Sequence, residues 1–306
     1  MSTLPTTAFL MLQMRLKCLR SRKRLGQHFL TDEAMLARIA EVSRADPRTL
    51  AVEIGAGPGF LTSMLAARAG GVLAIELDRR FRSLHQEAFG AVPQVGFLYG
   101  DALRLDLADL ARGALAERGL DQAVLTGNLP FQITSPLLFG QCGPGVPWRR
   151  MTVMVQREVA DRIVAGPGTK DYGVLTIKLA MWWHLAERWE VPAERFTPPP
   201  RVDASVLVLD RCPCPVEPTP ASEAWWPGFS EFVDAAFAQR RKKLINSLTS
   251  RWTDRPAKDE LLLALEAEGH SPLIRAEQIA PPGLLSLYRR LTESSTADPR
   301  RRQGEN

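Results

Sequence analysis

Short apolar runs recur between residues 25 and 210, and amphipathic stretches separate them. Ala51-Val52-Glu53-Ile54, Val72-Leu73-Ala74-Ile75, Val95-Gly96-Phe97-Leu98, Ala123-Val124-Leu125-Thr126 and Met151-Thr152-Val153-Met154-Val155 read as five buried strands. Segments such as Phe60 to Arg68 read as the helices between them, the sequence habit of a parallel α/β sheet. Val202 to Leu209 alternates as a closing strand after the rigid run Pro198-Pro199-Pro200. No internal repeat is apparent.

Composition shifts at Cys212-Pro213-Cys214-Pro215, with further prolines at 218 and 220, which predicts a linker. Beyond it the periodicity is helical. Phe229, Phe232, Val233, Ala236 and Phe237 recur at three- and four-residue spacing, as do Leu244, Ile245 and Leu248. The whole stretch from Ala236 to Leu248 is expected to be one helix, with two more at 261–265 and 284–291. The 306 residues therefore divide into a flexible basic arm (1–24), an α/β domain (25–210), a small all-α domain (211–292) and a polar basic tail (293–306).

A formal charge of +5 and a pI near 9.2 favour a polyanionic partner. Arg15, Lys17, Arg20, Arg22, Lys23 and Arg24 precede the first acidic residue, Asp32; further clusters are Arg240-Arg241-Lys242-Lys243 and Arg300-Arg301-Arg302. Arg22–Arg24 and Arg240–Lys243 are the expected RNA contacts. No stretch approaches the roughly 20 apolar residues of a membrane span, so no membrane partner is expected. Four cysteines form no disulfide ladder, Cys212-Pro213-Cys214 lacks zinc-knuckle spacing, and no metal is expected. Reduced thiols suit a cytoplasmic protein. The apolar stretch Ala8 to Met14 precedes its basic residues, the wrong order for a secretory signal. The Arg-rich start is closer to an organellar transit peptide, which leaves a mitochondrial location as the lesser reading.

Polar residues stand where the predicted strands end. Glu53-Ile54-Gly55-Ala56-Gly57-Pro58-Gly59 is a glycine loop that lets a nucleotide-like ligand approach the backbone. Glu76 ends the second strand, 21 residues after Gly55, where a carboxylate can accept both hydroxyls of a ribose; Asp78 is its rival. Asp101 follows the third strand, placed to accept from an adenine amine. The fourth ends in Thr126-Gly127-Asn128-Leu129-Pro130-Phe131. An exocyclic adenine nitrogen is a poor nucleophile because its lone pair is delocalised into the ring. The Asn128 side-chain oxygen and the Pro130 carbonyl can accept from that NH2, draw it toward pyramidal geometry and free the lone pair, while Phe131 stacks on an extruded base. The paired tryptophans Trp182-Trp183 and Trp225-Trp226 read as core, and His85, His184 and His270 as structural or solvated.

With these residues in hand, the chain resembles the KsgA-type rRNA adenine N6,N6-dimethyltransferases from about residue 22 to 291. Arg24-Leu25-Gly26-Gln27-His28-Phe29-Leu30 is similar to the family's opening motif, which has Asn where His28 stands. The glycine loop, Glu76-Leu77-Asp78, Gly100-Asp101-Ala102 and Gly127-Asn128-Leu129-Pro130 match successive motifs, as do 156–160, 165–173 and 196–203. Most members carry Tyr at Phe131. The resemblance implies a Rossmann-like methyltransferase sheet with a small C-terminal all-α domain, and S-adenosylmethionine as cofactor. It places His28, Leu30, Gly55, Gly57, Glu76, Asp101 and Asn128 against that cofactor. Its substrate would be two adjacent adenines in the 3′-terminal hairpin of small-subunit rRNA, met in an immature subunit by a monomer. Two readings compete within the fold: the large-subunit rRNA methylase of macrolide resistance, and a non-catalytic assembly or mitochondrial-type transcription factor. The stretch Ala236 to Leu248 resembles the small-subunit enzymes better than the first. Retention of Glu76, Asp101 and Asn128 together argues against the second. A DNA amine methylase would usually carry Pro at Leu129.

Overall fold

The apolar runs become the strands of one seven-stranded sheet in a computed structural model that describes residues 3–213, 225–253 and 256–297. Helix α1 (Thr7–Leu16), a two-residue strand β1 (Phe29–Leu30) and helix α2 (Glu33–Val42) precede β2 (Thr49–Ile54), buried at every position. Three helix–strand units follow: α3 (Phe60–Ala66) with β3 (Gly71–Glu76), α4 (Arg82–Phe89) with β4 (Val95–Tyr99), and α5 (Leu107–Arg118) with β5 (Gln122–Asn128). Next come α6 (Thr134–Phe139), β6 (Trp148–Gln156), α7 (Arg157–Ile163) and α8 (Val174–Ala180). Strands β7 (Trp183–Val191), β8 (Phe196–Thr197) and β9 (Ala204–Arg211) complete the set.

The order across the sheet is β4-β3-β2-β5-β6-β9-β7, and β1 pairs separately with β8. Strands β4 through β6 are parallel, whereas β9 runs antiparallel to both β6 and β7. The chain builds outward from β2 to β3 and β4, then returns to lay β5 on the other side of β2. That reversal opens a crevice at the carboxyl ends of β2 and β5, where ligands bind in open α/β sheets. Strand β7 was not legible in the sequence. It is an edge strand with a register shift between Leu185 and Glu187, and charged residues interrupt any alternation.

The expected flexible arm is instead largely structured. Thr6 caps α1 by accepting from the Phe9 amide, and Leu10 (0 % exposed) and Met14 (9 %) enter the core as an i, i+4 apolar pair. Ser63 Oγ donates to the Pro5 carbonyl at 2.6 Å, and Lys17 pairs with Glu87 at 2.7 Å. An absence of acids therefore coexists with a docked helix.

The chain divides into two compact units, and the second is not contiguous in sequence. It takes Cys142–Pro144 and Asp161–Trp182 as well as the residues from Cys212 onward, so the boundary expected at 210 cuts through it. Its helices after the sheet are α9 (Trp225–Phe237), α10 (Leu244–Arg251), α11 (Lys258–Ala267) and α12 (Pro281–Ala297). Buried Tyr172 donates to the Ile279 carbonyl at 2.7 Å, Lys178 pairs with Asp234 at 2.8 Å, and Trp182 packs on Trp225 and Trp226. Those three contacts tie 161–182 to the helices.

The single helix expected over 236–248 is two helices with a turn between them. Continued without a break, the stripe of Phe232, Ala236 and Leu244 would carry Arg240 onto its buried face. The chain turns at 238–243 instead, leaving Arg240 to Lys243 exposed, and Lys243 enters α10 with extended backbone (ψ 145°). The linker residues 214–220 and the Arg300–Arg302 cluster lie outside the described residues.

Candidate active site

The crevice at the ends of β2, β3, β4 and β5 is lined by Gly55, Gly57, Glu76, Asp101 and Asn128, together with Arg24, His28 and Phe131. Tight local geometry explains the glycines. At Gly57 (φ +53°) an added Cβ would lie 3.0 Å from the Phe29 ring, and at Gly55 (φ +78°) it would lie 3.3 Å from the Asn128 carbonyl oxygen. The loop thus passes close under both walls of the crevice.

Glu76 is 5 % exposed, with Oε2 accepting from the Gly57 amide at 2.7 Å and Oε1 from the Asp78 amide at 2.7 Å. Burial pushes its carboxyl up, while those two amides pull the other way. Each oxygen keeps a second lone pair for a ligand hydroxyl. Asp78, the rival acid, has other work: it accepts from Gln27 Nε2 at 3.2 Å and pairs with Arg80 at 2.6 Å. Its carboxyl sits below the usual range; burial acts to raise it, and the Arg80 side chain and amide together with Gln27 outweigh that. Asp78 therefore ties down the segment before β1, and Glu76 faces the crevice. Asp101 lines the crevice half-exposed, its Oδ1 accepting from the Leu103 amide at 3.0 Å.

Two buried groups lie beneath the loop: His85, expected to be structural or solvated, is structural, and Glu53 was given no role of its own from sequence. His85 donates through Nε2 to the Gly57 carbonyl at 2.8 Å, so its Nδ1 accepts from the Tyr99 hydroxyl at 2.8 Å; burial lowers its pKa to about 4 and keeps it neutral. Its ring stacks on Phe97 at 3.9 Å. Glu53 accepts from Thr62 Oγ1 at 2.5 Å, and burial raises its pKa to about 8. Only the strand periodicity hinted that Glu53 would be buried.

At the end of β5, Asn128 donates through Nδ2 to the His28 carbonyl at 2.8 Å. This fixes the amide orientation and leaves Oδ1 as the acceptor. One expectation needs correction here. The Pro130 carbonyl already accepts from the Ile133 amide at 3.0 Å and from Thr134 Oγ1 at 3.2 Å, so both its lone pairs are engaged within the turn. Leu30 is buried in the core and lines a smaller cavity, which shares Phe29, Gly55 and Asn128 with the crevice. His28 lines the crevice itself. Its Nδ1 donates to the Pro198 carbonyl at 2.8 Å, and its ring lies 6.1 Å from that of Phe131 at 21°.

The basic residues are used unequally. Arg22 lies 4.0 Å from Asp78 and gives its amide to Gln27, whereas Lys23 and Arg24 are exposed. Within the second unit, Arg240 is exposed, yet it pairs with Glu277 at 2.9 Å and donates to the Thr169 carbonyl at 3.1 Å, so it already holds intramolecular partners. Arg241, Lys242 and Lys243 are exposed and form no ion pair among the described residues.

A mostly parallel sheet with a glycine loop after β2, an acid ending β3 and an Asn turn after β5 defines a Rossmann-like methyltransferase. Residues 18–261 match the ribosomal RNA adenine dimethylase family, and the chain belongs to it. It is 38% identical over 261 residues to ribosomal RNA small subunit methyltransferase A of Shouchella clausii, covering 85% of this chain and 86% of that protein. The protein of the same name from Geobacter metallireducens is 36% identical over 276 residues, 90% of this chain and 97% of its own. Among solved structures, a dimethyladenosine transferase from Plasmodium falciparum shares the fold with a TM-score of 0.71 at 21% identity, over 88% of this chain and 98% of its own. The 23S rRNA methyltransferase ErmE gives 0.62 at 25% identity, over 86% and 99%.

Proposed function

We propose that this protein methylates N6 of adenine in ribosomal RNA twice, at two adjacent adenines of the 3′-terminal hairpin of the small-subunit rRNA. Family membership and the methyltransferase fold support S-adenosylmethionine as the cofactor. The crevice suits it: two carboxylates face the lining, which is otherwise largely apolar, and they match a ligand bearing a sulfonium charge, a ribose diol and an adenine amine. Glu76 would hold the diol, Asp101 the amine of the cofactor's adenine, and Gly55 and Gly57 the close backbone approach. When bound, this cofactor supplies an electrophilic methyl whose departure leaves a neutral thioether.

The observation that carries the reading is the oriented amide of Asn128. With Nδ2 held by the His28 carbonyl, Oδ1 is turned to accept from the N6 amine of a flipped adenine. Because the Pro130 carbonyl is engaged, we assign the second acceptor to the carbonyl of Leu129, which lines the same crevice. Phe131 stacks on the base. Catalysis then comes from positioning the nitrogen in line with the methyl and from excluding water. Flipping costs a few kcal/mol, least for a base in a loop.

Lys23 and Arg24 on the first unit, and Arg241, Lys242 and Lys243 on the second, would track RNA phosphates. Identity to proteins named for the small subunit exceeds that to ErmE, which supports the small-subunit target. We further propose that a monomer acts on an immature subunit in the cytoplasm. Labelled S-adenosylmethionine, incubated with the protein and unmethylated small and large subunits in parallel, tests the reading once the product is mapped. Label in N6,N6-dimethyladenine at adjacent adenines of the 3′ hairpin is expected. Label confined to large-subunit RNA, or none with wild-type protein, would overturn it.

A further inference from the structure

A second groove borders the catalytic crevice, and its lining is of a different kind. It holds about 500 Å³, within the roughly 300–1,000 Å³ of small-ligand sites, and the turn after α1 forms part of it. Helix α1 ends with the Leu19 amide donating to the Met14 carbonyl at 2.8 Å and the Cys18 amide to the Arg15 carbonyl at 3.1 Å, Cys18 being left-handed at φ +49°. Side chains pin this turn. Lys17 pairs with Glu87 at 2.7 Å, and the Arg20 carbonyl accepts from Arg80 Nη2 at 3.1 Å, an anchor that does not use the Arg20 guanidinium. Met11, Leu19, Phe29 and Pro198 give the groove an apolar lining, and Arg15 and Arg20 give it charge. Among the described residues, both arginines are exposed and without an ion pair, and no acidic residue lines the groove. Phe29 lines groove and crevice alike, and the Pro198 carbonyl accepts from Nδ1 of His28, a crevice residue, at 2.8 Å.

We propose that this groove is a subsite for the nucleotide next to the target adenine, with its base against the apolar lining and its phosphates on Arg15 and Arg20. This rests on the adenine-methylating reading of the crevice. Turning one adenine out of a strand also unstacks its neighbour, and part of the flipping cost is the apolar face that the neighbour then shows to water. A groove that shares Phe29 with the crevice lies within reach of an adjacent nucleotide and can cover that face. Flexible methionine and leucine side chains beside one ring accept any base, since such contacts read no hydrogen-bond pattern. Two guanidiniums with no carboxylate in the lining favour a phosphate-bearing occupant over an apolar peptide. The subsite also gives α1 a role. That helix lies before residue 18, where the match to the dimethylase family begins, and the crevice chemistry does not call on it.

Cys18 is exposed and lines the groove, so a short photo-crosslinker on its thiol reports what enters. The full-length protein is crosslinked to unmethylated small subunits, with Cys18→Ser as the background. Crosslinks to the nucleotides immediately flanking the methylated adenines are expected. Crosslinks to a ribosomal protein or to RNA elsewhere, or none above the Cys18→Ser background, overturn the subsite. The double variant Arg15→Gln, Arg20→Gln supplies an independent measurement. It should raise KM for the subunits about 10-fold and make the log-affinity against log-salt slope shallower by about 0.7–0.9 per lost contact. Its Kd for S-adenosylmethionine, read by calorimetry, should stay at the wild-type value. An unchanged KM and slope, or a matching loss of cofactor affinity, also overturns the subsite. Failure of wild type to methylate the subunits would instead overturn the proposed function.

Discussion

The two walls of the crevice are built differently. Beneath the glycine loop, Glu76, His85 and Glu53 are buried and already hold protein partners: two amides on Glu76, the Gly57 carbonyl and Tyr99 on His85, and Thr62 on Glu53. Across from them, His28, Asn128 and Phe131 are half-buried, and Asn128 keeps an acceptor turned outward. The first wall is fixed before any ligand arrives, as suits a small cofactor bound repeatedly in one pose. The second presents flat faces and an open acceptor, as suits a base that enters from a large polymer. Binding and chemistry should therefore separate cleanly by wall.

The largest effect should come from the second wall. Asn128→Ala removes the oriented acceptor and should lower kcat by about 100-fold or more, the scale seen when one preorganised polar group is lost from a reaction centre. Single-turnover methyl transfer would show it, and near-normal turnover would remove Asn128 from the chemistry. Phe131→Ala should cost roughly 1–3 kcal/mol in RNA kcat/KM, whereas Phe131→Tyr should be tolerated. Equal activity of all three proteins would take the ring out of the site. On the first wall, Glu76→Ala should weaken S-adenosylmethionine binding by about 1–3 kcal/mol, the value of a charge-assisted bond. Unchanged calorimetric affinity would return the ribose to Asp78.

Glu53 sharpens the contrast through pH. Its folded pKa near 8 lies above the ordinary carboxylate value of 4.5, so the folded state binds the extra proton between those limits. Stability from this group is fully present below about pH 4.5 and falls as pH rises toward 8, by at most about 1.4 kcal/mol per pH unit. Glu53→Gln should gain stability relative to wild type as pH rises from 5 to 8 in denaturant titrations. A difference independent of pH would mean that Glu53 is charged in the folded protein. The smallest effect belongs to the exposed cations. Replacing Arg241, Lys242 and Lys243 with Gln should leave cofactor affinity intact and make the log-affinity against log-salt slope for RNA shallower by about 0.7–0.9 per lost contact. An unchanged slope would confine the RNA footprint to other residues.

What was legible in the sequence follows from how each feature is encoded. Buried parallel strands are continuous apolar runs, so β2, β3, β5 and β6 could be found, and the half-buried edge strand β4 kept enough of that pattern to be found with them. The residues that end them, Gly55, Glu76, Asp101 and Asn128, could then be placed at one crevice. Features set by distant partners were not legible. Tyr172 joins the helical unit through Ile279, more than 100 positions away, and nothing local announces it. The engaged Pro130 carbonyl depends on how the following turn folds back, and the inward face of Leu30 on a register set by β8. Asp78 and Glu76 are near neighbours in sequence with opposite roles, decided by where Gln27 and Arg80 lie. Helix α1 was obscured because the basic residues that follow it were more conspicuous than its three buried side chains, Thr7, Leu10 and Met14.

The separation of the two walls is the central claim, and calorimetry of S-adenosylmethionine binding to Asn128→Ala tests it most directly. If Asn128 acts on the base rather than on the cofactor, Kd stays within about twofold of wild type in a protein that has lost methyl transfer. A loss of affinity comparable to that of Glu76→Ala would contradict it, making Asn128 part of the cofactor wall.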